Sequence, residues 1–343
     1  MDFTALADRS LSPDGVSRPD VLEVLRSSDD DLLPLVEAAY RVRTAHFGKK
    51  IKLNHLVNLQ SGACSENCAY CSQSGVSRAP ISIYPLISSE KVLQEAARAV
   101  ELKASRLCLV SSGREPSSDD IERVTAMVRL VRERFPSLEI CCSLGLMTEI
   151  HTARLREAGV NAYNHNVNTS PRYYTHVCST HTYDDRCQTI RKVKESGMST
   201  CSGVLLGMGE TPEDVADMAF ELRRLGADSI PVNFLIPIPG TGLEQVNRLT
   251  PRRCLRALCA FRFVNPSAEL RIAGGRELHL RSLQPLGLLV ANSLFIGDYL
   301  TTEGENPSDV LDMIADMGLE ILGAETSSAA ESPVDLSGRV RVR

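Results

Sequence analysis

The sequence predicts an α/β protein, a (β/α)8 TIM-type barrel with an N-terminal helical extension, and three observations carry that reading. From Leu56 onward short apolar runs alternate with helical segments, the rhythm of repeated βα units around a parallel sheet. Eight such runs occur, near 56–60, 106–111, 138–143, 160–166, 200–206, 228–235, 269–273 and 292–296, which is the number a closed barrel needs. A cysteine-rich loop directly follows the first run, on the face where barrels place their chemistry.

Each stretch has its own local reason. Residues 1–17 are polar and irregular, and a flexible N-terminus is expected there. Residues 18–55 form the helical extension, with two helical patterns between 19 and 47, the second opening at Asp31 and placing Leu32, Leu35, Val36 and Tyr40 at helical spacing. The barrel and its C-terminal elements span 56–323. Within it, Thr182-x-x-Asp185 and Thr211-Pro212-Glu213-Asp214 read as capping boxes, while Thr250-Pro251 and Asn306-Pro307 mark two more helix starts. Residues 324–343, opening Ala324-Glu325-Thr326-Ser327-Ser328, have the small, polar composition of a disordered tail.

Composition removes some function classes. The 343 residues are 43% hydrophobic and carry a net charge of -5, which argues against a nucleic-acid partner, since that affinity rests on neutralising phosphate. No apolar run reaches the roughly 18 residues of a membrane span. The opening Met1-Asp2-Phe3-Thr4 lacks a basic and apolar leader, so a reducing, cytoplasmic location is expected for the eleven cysteines.

The densest chemical signal is Cys64-Ser65-Glu66-Asn67-Cys68-Ala69-Tyr70-Cys71, a C-x3-C-x2-C run. Three thiolates can hold a cubane iron–sulfur cluster and leave one iron open to another molecule. A structural zinc site would need four closed ligands, commonly two C-x2-C pairs, and no C-x2-C partner occurs elsewhere. A disulfide does not suit a reducing compartment.

Cys108, Cys141, Cys201 and Arg271 all fall within predicted strands. Alternation lets each face the lumen, although Cys141 and Cys142 cannot both do so. A strand cysteine is more often packing than ligand, and the pattern alone does not separate the two. Tyr163-Asn164-His165-Asn166-Val167-Asn168 places asparagines at alternate positions, so one face of the fourth strand would carry three carboxamides. Such a face needs a polar ligand, an internal amide ladder or buried water, because an unsatisfied buried group costs about 1–3 kcal/mol. Asn233 in the sixth run is a candidate of the same kind. The Gly203–Glu210 turn, with Gly207 at its centre, would let backbone approach a ligand closely.

With these residues assembled, the chain resembles the biotin synthase family of radical S-adenosylmethionine (SAM) enzymes over roughly residues 20–320. The run from Gly62 to Gln73, Tyr163-Asn164-His165-Asn166, Cys201-Ser202-Gly203 and Arg271-Ile272-Ala273-Gly274-Gly275-Arg276-Glu277 match in order. The resemblance implies that Cys64, Cys68 and Cys71 hold a 4Fe–4S cluster whose open iron chelates SAM. It implies that a 5'-deoxyadenosyl radical takes hydrogen from C9 and then C6 of dethiobiotin. Cys108, Cys141, Cys201 and Arg271 would hold a 2Fe–2S cluster that donates the sulfur. Guanidinium has no free lone pair, so proximity of Arg271 to an anionic cluster is easier to understand than coordination.

By the same resemblance Tyr70, Asn166, Asn168 and Gly207 contact SAM, while Asn164 and Asn233 contact the ureido ring of dethiobiotin. Asn168 stands where an acidic residue is expected against the ribose, and an amide accepts more weakly. The loop Ser111-Ser112-Gly113-Arg114 differs from the family as a local variation. A homodimer, a flavodoxin or ferredoxin electron donor and cluster-assembly proteins are implied as partners. Arg186 reads either as a contact to the SAM carboxylate or as a solvated helix charge. Cys142, Cys178, Cys187, Cys254 and Cys259 receive no role beyond packing. The competing readings are another radical SAM enzyme of the same barrel group, of the hydrogenase-maturation or methylornithine type, and a non-catalytic iron–sulfur protein.

Overall fold

The structure is a computed structural model that describes residues 1–323; the stretch read as a disordered tail lies outside the described residues. Helices α1 (Phe3–Leu11), α2 (Arg18–Arg26) and α3 (Leu32–Phe47) precede β1 (Lys50–Gln60). There follow α4 (Ser89–Glu101), β2 (Arg106–Ser111), α5 (Ser118–Arg134), β3 (Glu139–Ser143), α6 (Glu149–Ala158), β4 (Ala162–Asn164), α7 (Tyr183–Glu195), β5 (Ser199–Cys201), β6 (Val204–Leu206), α8 (Pro212–Leu225) and β7 (Ser229–Phe234). The chain continues with α9 (Pro251–Val264), β8 (Glu269–Ile272), α10 (Arg276–Leu280), α11 (Gln284–Val290), β9 (Ser293–Phe295), α12 (Pro307–Asp316) and β10 (Glu320–Ile321).

Parallel pairing runs β1-β2-β3-β4-β5-β7-β8-β9 and returns from β9 to β1, closing an eight-stave barrel. β6 prolongs the fifth stave beside β7 after a break at Ser202-Gly203. Gly203 is required there, because a Cβ would stand 1.8 Å from the carbonyl oxygen of Pro231. β10 adds a short parallel pairing to the start of β1.

Two local expectations change. Residues 1–17 were expected to be flexible, yet α1 is a capped helix with Leu6 and Ala7 fully buried and the Ser10 hydroxyl donating to the Phe263 carbonyl at 2.8 Å. Its apolar positions, Phe3, Leu6 and Ala7, follow helical spacing, but one short stripe among charged residues is a weak signal without its partners α3 and α9. The first strand begins at Lys50 rather than 56, because its early residues alternate polar and apolar and pair with β9 and β10.

The helix starts follow the capping chemistry. Thr182 and Asp185, and Thr211 and Asp214, form reciprocal capping boxes, and Thr250 and Asn306 cap α9 and α12 ahead of a proline. Asp214 is buried and also accepts from Ser170 Oγ at 2.6 Å and Arg172 Nε at 3.0 Å. Burial by itself would raise its pKa, but these donors and Thr211 hold it below the usual carboxylate range. A group depressed in the folded state contributes stability above its unfolded pKa and loses it as pH falls through the folded value. Asp214→Asn is expected to cost about 1–3 kcal/mol at pH 7 by urea denaturation, with the gap from the parent narrowing as pH falls below about 4.

Candidate active site in the barrel lumen

Most of the apolar core lies outside the lumen, but a separate cluster inside it consists of Cys108, Cys141, Ala162, Cys201, Ala273 and Phe295. Barrel interiors are usually filled by Val, Ile and Leu. Small side chains here leave a cavity of about 310 Å³, open at the end where the strands finish.

Strand register sets the lower level of this cavity. Cys108 pairs directly with Cys141, Asn164 with Cys201, Cys201 with Ser229, and Arg271 with both Pro231 and Ser293. Cys141 packs into the lumen cluster and Cys142 into the outer core, as strand alternation requires. The neighbouring Cys108 and Cys201 thiols, together with burial, raise the Cys141 pKa. The adjacent Cys141 thiol, helped by Arg271 and Arg106, lowers the pKa of Cys108 and Cys201. Cys201 itself does not line the cavity, since Asn164 Nδ2 at 3.3 Å and Arg271 Nη1 at 3.7 Å lie against its sulfur.

Beneath the thiols sits a buried ionic layer that the sequence reading missed. Arg271 bonds Ser293 Oγ at 3.1 Å, Ser229 Oγ at 3.0 Å and the Glu269 carboxylate. Glu269 also faces Arg106 at 3.4 Å and Lys52 at 3.6 Å, and Glu139 accepts from Lys52 at 2.6 Å and from Arg106 at 2.9 Å. Burial opposes ionisation of Glu269, but Arg271, Arg106 and Lys52 outweigh it and hold the carboxyl ionised. Three cations thus meet two carboxylates, and Arg106 Nη1 is buried with no hydrogen-bond partner among the described residues. The excess positive charge suits an anionic group held by the three thiols. The available signal was spacing, as Arg106 and Glu269 each precede a lumen residue by two positions.

The upper level comes from loops. Ala69 N–H donates to the Val177 carbonyl at 2.9 Å, and the Asn67 side chain bonds Ser179, so the cysteine loop after β1 is pinned to the loop after β4. Cys64, Cys68, Tyr70 and Cys71 all line the cavity mouth. Arg186 is not a solvated charge. It is buried, lines the same mouth, and donates to Tyr174 Oη at 2.5 Å and to the Asn166 carbonyl at 2.9 Å. Burial, with Arg186 nearby, lowers the pKa of His165 and keeps that imidazole neutral.

The three asparagines do not share a strand face. β4 ends at Asn164, and Asn168 has a positive φ of 67°, so the last two sit in the loop. All three still line the cavity, with Asn164 Nδ2 donating to Asn166 Oδ1 at 3.0 Å and Asn168 Nδ2 to Tyr70 Oη at 2.7 Å. Gly207 does not reach it. The amides of Gly207, Met208 and Gly209 are taken by the Glu210 carboxylate at 2.6, 2.9 and 3.1 Å, which turns that backbone inward on its own side chain. Asn233 is in place, its Oδ1 accepting from Gly274 N at 3.0 Å and Tyr299 Oη at 2.8 Å, and one Nδ2 hydrogen directed to the Val204 carbonyl at 3.1 Å. Tyr299 was missed because it lies in an irregular loop after β9.

Residues 60–222 match the radical SAM superfamily, and residues 231–320 match the biotin and thiamin synthesis associated domain. A biotin synthase of Anoxybacillus flavithermus is 49% identical over 96% of this chain and 100% of its own length. One from Nocardioides sp. is 52% identical over 95% of this chain and 87% of its own. The chain belongs to the biotin synthase family. It is therefore a radical SAM enzyme that inserts sulfur into dethiobiotin to form biotin, and the family's cofactors are a 4Fe–4S cluster, a 2Fe–2S cluster and SAM. Among solved structures, methylornithine synthase superposes with a TM-score of 0.79 at 21% identity, covering 92% of this chain and 97% of its own. The hydrogenase maturase HydG gives 0.81 at 15% identity, covering 93% and 75%. Those two share the barrel; at such identity they show the fold alone. No helix among the described residues is long and apolar enough to cross a membrane.

The ionic layer under the lumen is testable without any cofactor. Glu269→Gln leaves Arg271 and Arg106 facing each other without their shared carboxylate and is expected to lower the denaturation free energy by about 3–5 kcal/mol, read by chemical denaturation.

Proposed function

We propose that this member of the biotin synthase family holds its 4Fe–4S cluster on Cys64, Cys68 and Cys71 at the cavity mouth. Its 2Fe–2S cluster would sit on Cys108, Cys141 and Cys201, beside Arg271. The carrying observation is convergence: the first set, together with Cys108, Cys141 and Arg271, lines one cavity, and Cys201 packs in the same lumen cluster as Cys141 with Arg271 against its sulfur. A 4Fe–4S cluster held there would supply one-electron reductive cleavage of SAM for hydrogen abstraction at C9 and C6 of dethiobiotin, and a 2Fe–2S cluster held below would supply the sulfur.

The residues contribute binding, orientation and charge. Arg271 stays cationic, because Glu269 and the neighbouring thiols more than offset the desolvation that burial imposes. It therefore acts as a countercharge fixed by three side chains, and coordination through nitrogen is the less natural role. Tyr70, Asn166 and Asn168 form the polar wall available to SAM, and Arg186, a buried cation on that wall, is placed to meet its carboxylate. The Gly207 amide is taken by Glu210, so a contact of Gly207 with SAM would run through its carbonyl or Cα.

Dethiobiotin would lie between the two levels against Asn164 and Asn233. With its acceptor filled by Gly274 and Tyr299 and one hydrogen on Val204, Asn233 keeps one N–H for a ureido carbonyl. Asn164 Oδ1 has no hydrogen-bond partner among the described residues and supplies an acceptor for a ureido N–H.

We further place the enzyme in the cytoplasm as a homodimer, with electrons from a flavodoxin or ferredoxin and cluster-assembly proteins restoring the consumed cluster. All eleven cysteines being unpaired supports a reducing compartment.

Anaerobic assays of reconstituted protein, quantifying biotin and 5'-deoxyadenosine together, separate the roles. Cys68→Ala is expected to produce neither, and continued deoxyadenosine at the parental rate would remove the mouth-cluster assignment. Cys141→Ala is expected to retain some deoxyadenosine formation and lose biotin. Asn233→Ala is expected to raise the dethiobiotin KM by roughly 10-fold or more, the loss of one buried hydrogen bond of about 1.5 kcal/mol.

A further inference from the structure

Cys178 has no part in the chemistry above. It follows the short 3-10 turn Tyr174–His176 in the loop after β4 and opens Cys178-Ser179-Thr180-His181, a C-x2-H spacing. Its sulfur lies 3.7 Å from Cys68 Sγ and 3.3 Å from His181 Nδ1. The three ligand atoms fall within 4.8 Å of one another, and all three side chains are buried. The buried carboxylate of Glu66 adds a fourth donor, with Oε2 4.0 Å from Cys178 Sγ and in contact with His181 Nδ1.

The sulfur–sulfur and sulfur–nitrogen separations match a metal polyhedron, whereas Glu66 Oε2 and His181 Nδ1 are hydrogen-bonded to each other and must give up that bond and move apart before both ligate. A tetrahedral ion with metal–sulfur bonds of about 2.3 Å and metal–nitrogen bonds of about 2.0–2.1 Å sets two sulfurs about 3.8 Å apart and a sulfur and a nitrogen about 3.5 Å apart. Two thiolates, an imidazole and a carboxylate are a borderline-soft donor set that favours iron(II) or zinc over magnesium or calcium. With a divalent ion the four donors carry one net negative charge, and Arg114 Nη1 lies 3.0 Å from the outer oxygen of Glu66. Asn67 Oδ1 accepts from the Ser179 amide at 3.0 Å, holding the C-x2-H segment against the cysteine loop.

We propose that Cys68, Cys178, His181 and Glu66 form a mononuclear site for iron(II) or zinc. It shares Cys68 with the cluster loop, so a metal ion here and a cluster on Cys64, Cys68 and Cys71 exclude each other. The exclusion rests on the cluster assignment made above; the mononuclear site does not. Zinc bound in the cluster-free protein therefore blocks assembly of the mouth cluster by withholding one of its three thiolates.

The test uses the full chain freed of clusters under anaerobic conditions and titrated with cobalt(II), whose thiolate charge-transfer and tetrahedral d–d bands report the donor set. Parent, Cys178→Ala, His181→Ala and Cys71→Ala are compared, each checked for parental circular dichroism; the lumen thiols are untouched in all four and cancel in the differences. Cys178→Ala and His181→Ala are each expected to weaken one equivalent of cobalt at least ~100-fold, a ligand being worth no less than the outer-shell partners of a metal site. Cys71→Ala is expected to retain that equivalent while failing to assemble the 4Fe–4S cluster. Zinc should suppress 4Fe–4S assembly, read by absorbance and iron and sulfide content, in the parent and not in Cys178→Ala. Parental cobalt binding in both Cys178→Ala and His181→Ala overturns the site. Zinc suppressing assembly equally in parent and Cys178→Ala overturns the exclusion, whereas a cluster assembled normally in Cys71→Ala overturns the cluster assignment and leaves the mononuclear site standing.

Discussion

Charge balance inside a closed barrel is the constraint on which the rest of this structure depends. Lys52, Arg106 and Arg271 are buried against Glu139 and Glu269, and the surplus cation points at three thiols at the next level up. Glu139 is partly exposed, but the arginines are buried, and an unpaired charge there is costly, so the layer favours negative charge above it. Thiolates, or a thiolate–sulfide cluster, meet that requirement. The same layer fixes the Arg271 guanidinium through Glu269, Ser229 and Ser293, which is why its position is rigid although its side chain is long.

A second constraint is the clasp between two loops at the mouth. The hydrogen bond from Ala69 to Val177 and the bonds of Asn67 to Ser179 and Thr180 hold the cysteine loop against the segment after β4. Without that clasp Cys68, Cys178 and His181 would be unrelated residues. With it, thiols 110 positions apart in the chain are neighbours. The loop that carries the three cysteines therefore also brings a second set of donors beside Cys68.

The comparisons divide along the same lines as the geometry. Methylornithine synthase and the hydrogenase maturase share the barrel at 21% and 15% identity, whereas biotin synthases match along nearly the whole chain at about half identity. The barrel is thus common property, and the small, cysteine-bearing lumen is read from this chain's own residues.

Much of the architecture was legible in local chemistry. The βα rhythm, the capping boxes at Thr182 and Thr211 and the C-x3-C-x2-C run depend on near neighbours, and all stand where their spacing put them. Alternation along single strands allowed Cys108, Cys141 and Arg271 to face inward without deciding it, and the strand register brought them together. What failed was extrapolation of a local rule past its element: the Asn164-Asn166-Asn168 face ends with β4. Helix α1 was invisible because its stripe acquires meaning only against α3 and α9. The Lys52–Arg106–Glu139–Glu269 layer and the meeting of Cys68 with Cys178 and His181 are tertiary facts, since register between strands and contact between loops are set by closure of the whole barrel. The sequence by itself determined most of the barrel elements, the motif and the family. Only the folded chain decided which charges are shared, which asparagine hydrogens remain free and which cysteines meet, because those depend on long-range packing that no local spacing encodes.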